Sequence, residues 1–327
     1  MKRNSNIELL RIVAMLLIVL HHYSVHGPWP ALTSMTTSIA VDFLSFGGKL
    51  GVDAFVLITG YYVSRSCFKS QSLLRLVLQT LFYSWLILAL QMFLSPESVT
   101  FDSVKAALLP LTHNQYWFVT TYVVLTILSP LINKCLSTLS FASKSKIIAI
   151  GFVLFSVVPT FILVDAYTSN VVWFCFLYVV GAYIRDFADS EVTKSDMSRW
   201  LGVVMAPINW AIRKPLLAFI VCLTVVLASI AGIDYLKFKD GFALVSATYL
   251  IAQNMIPTFL MSVALFSFFQ KLKPFYSGTI NWLAKGVFGV YLIHDNSFIR
   301  SVIWKPFAPV FATGGYDSYS SGLLSLL

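Results

Sequence analysis

This chain predicts an all-α polytopic membrane bundle of nine to ten transmembrane helices, and three observations predict it. Of its 327 residues, 58% are hydrophobic and only 11% charged, and the mean hydropathy is +0.80, which is too apolar for a soluble domain of this length. Apolar runs of about 20 residues, long enough to cross a bilayer, recur from end to end between short polar or basic loops. None of them alternates polar and apolar residues as a barrel strand does. Backbone polar groups in lipid must be satisfied within the segment, which leaves the helix.

Taken in order, the spans fall near residues 7–26, 47–64, 74–94, 116–133, 147–165, 171–187, 215–233, 247–269 and 279–297. The first follows Lys2 and Arg3 and runs into HHYSVHGPWP, which offers no small-residue cleavage site, so it is expected to be a retained helix rather than a removed signal. The stretch RWLGVVMAPINWAIRKP at 199–215 is apolar and aromatic but interrupted by Pro207 and Asn209 and bounded by Arg213 and Lys214. An interfacial helix on the cytoplasmic face fits it better than a span. The tail GGYDSYSSGLLSLL, 314–327, reads as a turn and the opening of another apolar segment, so a tenth span is expected to be short or incomplete. No linker or low-complexity tract divides the chain, which is expected to be one domain over 1–327.

Charge sets the orientation. With the N-terminus cytoplasmic, 17 of the 23 Lys and Arg residues fall on inner segments, and only Lys49, Lys105, Lys237, Lys239, Arg300 and Lys305 fall outside. That is the positive-inside bias, and because spans alternate, one missed helix would scramble it. The formal charge of +9 therefore reflects topology and gives no reason to expect nucleic acid. Cys67, Cys135, Cys175 and Cys222 are scattered without the close pairs of metal or redox motifs.

The chemistry begins in the first span, ELLRIVAMLLIVLHHYSVHG at 8–27, which carries Glu8, Arg11, His21, His22 and His26. At about 100° per residue, Arg11 and His22 differ by three turns plus about 20°, so they share one face about 16 Å apart along the axis. Glu8 lies one turn before Arg11 and can pair with it, while His21 points about 80° away. Boundary anchoring accounts for His21 and His26. For His22 a functional role is the better reading, because ionisable groups within spans are costly and usually face a cavity. No metal site is expected, since the histidines lack ligand spacings, and neither a Gly-rich phosphate loop nor a Gly-x-Ser-x-Gly elbow is present.

E-L-L-R at 8–11 followed by His22 resembles the start of the membrane-bound acyltransferase 3 family, in which an acidic residue and Leu-Arg precede Arg-x10-His. Three further stretches agree with it: GVDAFVLITGYYVSR at 51–65, with Phe55, Gly60 and Tyr61 in place; NQYWFVTTYVVLTILSPLI at 114–132; and GVFGVYLIHDN at 286–296. LYVVGAYIR at 177–185 is a weaker match. Thr59 stands where the family usually has serine and Val56 replaces the second Phe of a pair, and the family usually completes ten spans.

The resemblance implies O-acyl transfer, usually of acetyl, from cytoplasmic acyl-CoA to a hydroxyl of a surface polysaccharide or its lipid-linked precursor, in a multi-pass protein of the bacterial plasma membrane. Acyl-CoA is then a donor substrate, and no bound cofactor is expected. Cations near the inner face suit the CoA phosphates, and Arg11, Arg65 and Arg185 are the candidates. Imidazole suits removal of the acceptor's proton, which gives His22 the role of general base or of transient acyl carrier, with Arg11 and Glu8 completing the catalytic set. An extended pantetheine arm is comparable in length to the Arg11–His22 separation. Asp53 can orient a histidine, bind the acceptor or merely favour a helix N-terminus. Trp117 can stack on a sugar or belong to an interfacial belt, and His294 at the outer end of the last span meets the acceptor in this reading. A transporter or flippase of glycan-lipid or small anionic substrates is the alternative. It predicts internal repeats with broken helices, and none is found. A non-catalytic scaffold is a second alternative, motivated by the short C-terminus.

Overall fold

The computed structural model describes residues 4–29, 34–113, 115–162, 169–189, 198–241 and 244–307. Every regular element among them is helical: α1 (Ser5–His26), α2 (Met35–Leu44), α3 (Gly48–Val63), α4 (Ser70–Leu94), α5 (Phe101–Leu108), α6 (Trp117–Thr138), α7 (Phe141–Phe152), α8 (Val158–Ile162), α9 (Asn170–Asp189), α10 (Arg199–Arg213), α11 (Pro215–Asp240), α12 (Ile256–Lys271), α13 (Gly278–His294) and α14 (Ser297–Ile303), with short 3-10 turns between some of them. Seven segments are long and apolar enough to cross a membrane. The helices α3 and α13, of 16 and 17 residues, fill the remaining two expected positions. The tail at 314–327, where the tenth span was expected, lies outside the described residues.

The structure refines the spans for local reasons. The seventh runs on to Asp240 and ends at Gly241, whose φ of 68° is the left-handed conformation that closes helices. The eighth, expected as one helix over 247–269, is broken: a 3-10 turn at Tyr249–Ile251 gives way to extended backbone at Met255 before α12 begins, with Pro257 in its first turn where no N–H is needed. The fifth starts earlier than expected, at Phe141, capped by the Ser140 hydroxyl. It passes through a π-helical turn at Val153–Val157 just before Pro159, which accommodates a residue that cannot donate into the ladder. Three helices, α2, α5 and α14, were not expected, because at 10, 8 and 7 residues none makes a span-length apolar window. The segment at 199–215 forms α10, which buries Leu201, Met205, Ile208, Ala211 and Ile212 against the bundle and exposes Trp200 and Val203.

The centre of the bundle is α3 and α12. In the spanning window of Tyr249–Lys271, most of it α12, 72% of residues are buried, against 17% in α4 at the rim, and α3 packs on α1, α9 and α12. Lipid tails are as apolar as Leu, so helices in a membrane associate through close packing and interhelical hydrogen bonds. Both devices hold α3. A Cβ on Gly60 would meet the Tyr178 backbone and one on Gly181 would meet the Leu57 carbonyl, so α3 and α9 touch backbone to backbone at a pair of glycines. Gly51 admits the Ala14 carbonyl of α1 in the same way. Polar ties add to this, among them Tyr178 Oη to Asn133 Oδ1 at 2.8 Å and Asn133 Nδ2 to the Val63 carbonyl at 3.0 Å.

Such ties also mark the two ends of the bundle. The start of α1 bonds the end of α12 and the first turn of α13, with Ser5 Oγ to Asn281 Oδ1 at 3.0 Å and Asn6 Nδ2 to the Leu272 carbonyl at 2.7 Å. At the opposite end of the bundle, Tyr116 Oη donates to the Leu292 carbonyl at 3.0 Å and Ser38 Oγ to Asp234 Oδ1 at 3.3 Å. The first of these ends carries Arg11, Arg65, Lys144, Arg185 and Arg213, and by the charge rule it is the inner end.

Candidate functional site

The helical period that places Arg11 and His22 on one face also decides what lies between them. Ala14, Met15 and Ile18, the intervening residues on or beside that face, are all buried, so the strip between the cation and the imidazole is packed with side chains. His21 turns away as the geometry requires, its Nδ1 lying 2.9 Å from the Ser45 carbonyl in a space that Gly48 leaves open.

His22 faces the bundle rather than lipid; its side chain is 14% exposed. Its Nδ1 is 2.9 Å from Nε2 of His294, the last residue of α13, and the two rings are tilted at 42° with centroids 4.9 Å apart. His294 Nδ1 in turn lies 2.7 Å from the Val290 carbonyl, one turn back on α13. A carbonyl can only accept, so His294 carries its proton on Nδ1 and offers a lone pair at Nε2. The proton shared between the rings therefore belongs to Nδ1 of His22. Nε2 of His22 is left with a lone pair, and no described residue bonds to it.

Asp295, the first residue beyond α13, reinforces this tautomer, with Oδ1 3.5 Å from Nδ1 of His22. Burial pushes the Asp295 carboxyl up to about 6, against the opposing pull of Arg300. Arg300 on α14 approaches Asp295 to 3.9 Å and donates from Nη1 to His26 Nε2 at 2.9 Å. The turn that carries His294 is itself fixed, since Tyr116 Oη bonds the Leu292 carbonyl and accepts from Asn296 Nδ2 at 3.0 Å. Lys49, at the start of α3, lies 4.5 Å from the centroid of the Trp117 ring and within Coulombic range of Asp295.

Of the acceptor-side residues singled out in the sequence, the structure thus brings His294 directly to His22 and sets Trp117 beside Lys49 at the same end. Asp53 is elsewhere. It is fully buried, its carboxylate accepting from Trp173 Nε1 at 3.0 Å and from Ser262 Oγ at 3.3 Å, and so ties α3 to α9 and α12. An acceptor could reach it only by displacing those bonds. Asp295 follows His294 directly in the sequence and was read with it at the outer end of the last span; Arg300 and Lys49 are the residues that sequence reasoning did not enlist. Arg300 sits across a helix break that no periodicity bridges, and Lys49 was counted only toward topology.

The expected donor-side cations lie at the other end. Arg11 is 3.8 Å from the Glu8 carboxylate and its side chain is 37% exposed. Arg185 donates to the Tyr61 carbonyl at 3.0 Å and sits over the Tyr61 ring, and Tyr62 lies within Coulombic range of Arg11, Glu8 and Arg185 together. Arg65 is committed to Asp186 at 2.6 Å, a carboxylate that Lys144 also holds at 2.6 Å. Arg11 and Arg185 are therefore gathered around one point of the inner face, and Arg65 belongs to a separate ion-pair cluster.

Compared with known families, the chain matches the one described as an acyltransferase domain over residues 4–323. No curated protein and no solved structure matches it.

Proposed function

We propose, from the premise that this chain belongs to the acyltransferase 3 family, that this membrane acyltransferase moves an acetyl group from cytoplasmic acetyl-CoA to a hydroxyl of a cell-surface polysaccharide, or of its lipid-linked precursor, in the bacterial plasma membrane. The observation that carries the reading is the unbonded Nε2 of His22, whose lone pair the His294 and Asp295 contacts at Nδ1 leave open.

In this reading Arg11 and Arg185 hold the CoA phosphates at the inner face, where paired cations suit a multiply charged anion. Glu8 fixes the Arg11 side chain. The pantetheine arm carries the thioester about 16 Å along α1 toward His22, which requires the packing of Met15 and Ile18 to open. Nε2 of His22 takes the proton of the acceptor hydroxyl as its oxygen attacks the thioester carbonyl. The C–O bond forms, the C–S bond breaks, and the proton passes to the departing sulfur to give free CoA. The Asp295 carboxylate stabilises the transient imidazolium, as an acidic partner does for a catalytic histidine. Alternatively the same Nε2 takes the acetyl group first and passes it on. Trp117 and His294 face the acceptor side in either sequence of events.

The full chain in lipid nanodiscs, given acetyl-labelled acetyl-CoA and surface polysaccharide from cells lacking the gene, tests the proposal. Transfer of label to the glycan is expected, with a gain of about 42 Da per modified unit and loss of transfer in His22→Ala. Label that stays on CoA with the intact chain would overturn it.

A further inference from the structure

At the outer end of the bundle, behind the turn that carries His294 and Asp295, a cavity of about 450 Å³ opens between the end of α4, the 3-10 turn Pro96–Ser98, the start of α5 and α14. The volume is that of a small-ligand site. On α14 it is lined by Ser297, Phe298, Ser301 and Val302, with Lys305 just beyond, a spacing of i, i+1, i+4, i+5 and i+8 that is one helical face. Arg300, on another face of the same helix, is the residue that reaches Asp295 and His26. One short helix therefore joins the cavity to the histidine cluster. Ser297 follows His294 by three residues, so their Cα atoms are within about 11 Å.

The hydrogen-bonding character of the lining leans toward acceptors. Ser98, Ser103 and Ser301 each donate their hydroxyl hydrogen to a nearby backbone carbonyl at 2.7 Å. Gln91 spends its amide hydrogens on the Ser98 carbonyl and hydroxyl at 3.2 Å. What faces the cavity is then mostly oxygen lone pairs and the Glu97 carboxylate, with the Ser95 and Ser297 hydroxyls and, as the one cation among the described lining residues, Lys305 able to donate. An anion entering would meet the Glu97 carboxylate and the lone pairs of Ser98, Ser103 and Ser301. A neutral polyol, with many O–H donors and an apolar ring face to set on Phe298, complements the lining.

We propose that this cavity is a saccharide subsite that holds a neutral sugar unit of the acceptor adjacent to the unit being acylated. The proposal rests on the acceptor being a glycan, as argued above, and names where the chain grips it. A polymer held here presents its next unit toward His22 and His294 across the α13–α14 turn.

Binding can be read without turnover, so failure of the subsite and failure of the transferase reading are separate results. Saturation-transfer NMR on the full chain in nanodiscs, with maltohexaose and chitohexaose as neutral probes and hexagalacturonate as the acidic one, should give signals from a neutral probe. Ser301→Trp, which fills the cavity, should weaken that binding by at least about tenfold. Lys305→Glu should leave the neutral probe bound. Absence of both neutral probes from the intact chain, stronger binding of the acidic probe, or unchanged binding in a Ser301→Trp protein of native thermal stability overturns the proposal.

Discussion

The proton on His294 Nδ1, fixed by the Val290 carbonyl, decides which nitrogen of His22 keeps its lone pair, and substitutions at the two histidines should therefore separate. His22→Ala removes the proposed base and should abolish transfer. His294→Ala leaves the base but frees its tautomer, and turnover should fall by roughly 10²-fold with little change in acceptor KM. His294→Gln should recover part of that loss, because its amide oxygen can still accept from Nδ1 of His22. Initial rates across donor and acceptor concentrations check this, and wild-type turnover in His294→Ala would remove His294 from the mechanism. Asp295 adds a pH dependence. Burial raises its carboxyl to about 6, so the carboxylate that steadies an imidazolium exists mainly above that pH, and turnover should fall as pH drops through about 6. In Asp295→Asn the limb set by this group should disappear while overall turnover drops; an unchanged acidic limb would assign it to another group. The sequence could show Arg11 and His22 on one face because both lie on one uninterrupted helix. It set Asp295 beside His294 but could not show Asp295 reaching His22 or Arg300 reaching His26, because those approaches depend on a turn between two helices.

At the scale of the element, glycine decides how near the central helices come. The contact of α3 with α9 places Gly60 against the Tyr178 backbone and Gly181 against the Leu57 carbonyl, and an added methyl on either must push backbone apart. Gly60→Ala and Gly181→Ala should each destabilise the protein by about 1–3 kcal/mol, the range for overpacking a tight contact. Gly232→Ala, where a Cβ meets open space on α11, should be neutral or slightly stabilising, since helical Gly costs up to about 1 kcal/mol relative to Ala. Thermal unfolding in detergent measures all three, and equal midpoints for Gly60→Ala and Gly232→Ala would count against the crossing described. The nine long apolar positions were legible because hydropathy over a span is a property of composition, indifferent to what surrounds the helix. The break before α12, the π turn before Pro159 and the short helices α2, α5 and α14 were not, because each depends on tertiary partners or on a run too short to register.

For the whole molecule, chemistry is divided between two ends. Cations gather where α1, α3 and α9 meet the inner face, and imidazoles and a carboxylate gather where α1 and α13 meet the outer one. Both ends are anchored by α1, and about 16 Å of packed helix separates its Arg11 from its His22. This division serves delivery of a group across the membrane only if the charged end is cytoplasmic, since acyl-CoA is made there. Orientation is therefore the premise on which the proposed reaction depends as a whole, and it rests on the bias of 17 cations against six. Native cysteines make it measurable: Cys67, beyond α3, and Cys135, near the end of α6, are both exposed at the cation-rich end. Lys105 on α5 is exposed at the other. In intact cells a membrane-impermeant maleimide should label Lys105→Cys, and should reach Cys67 and Cys135 only after the membrane is permeabilised. Labelling of Cys67 in intact cells, with Lys105→Cys protected, would invert the chain and turn His22 toward the cytoplasm, where no surface glycan waits.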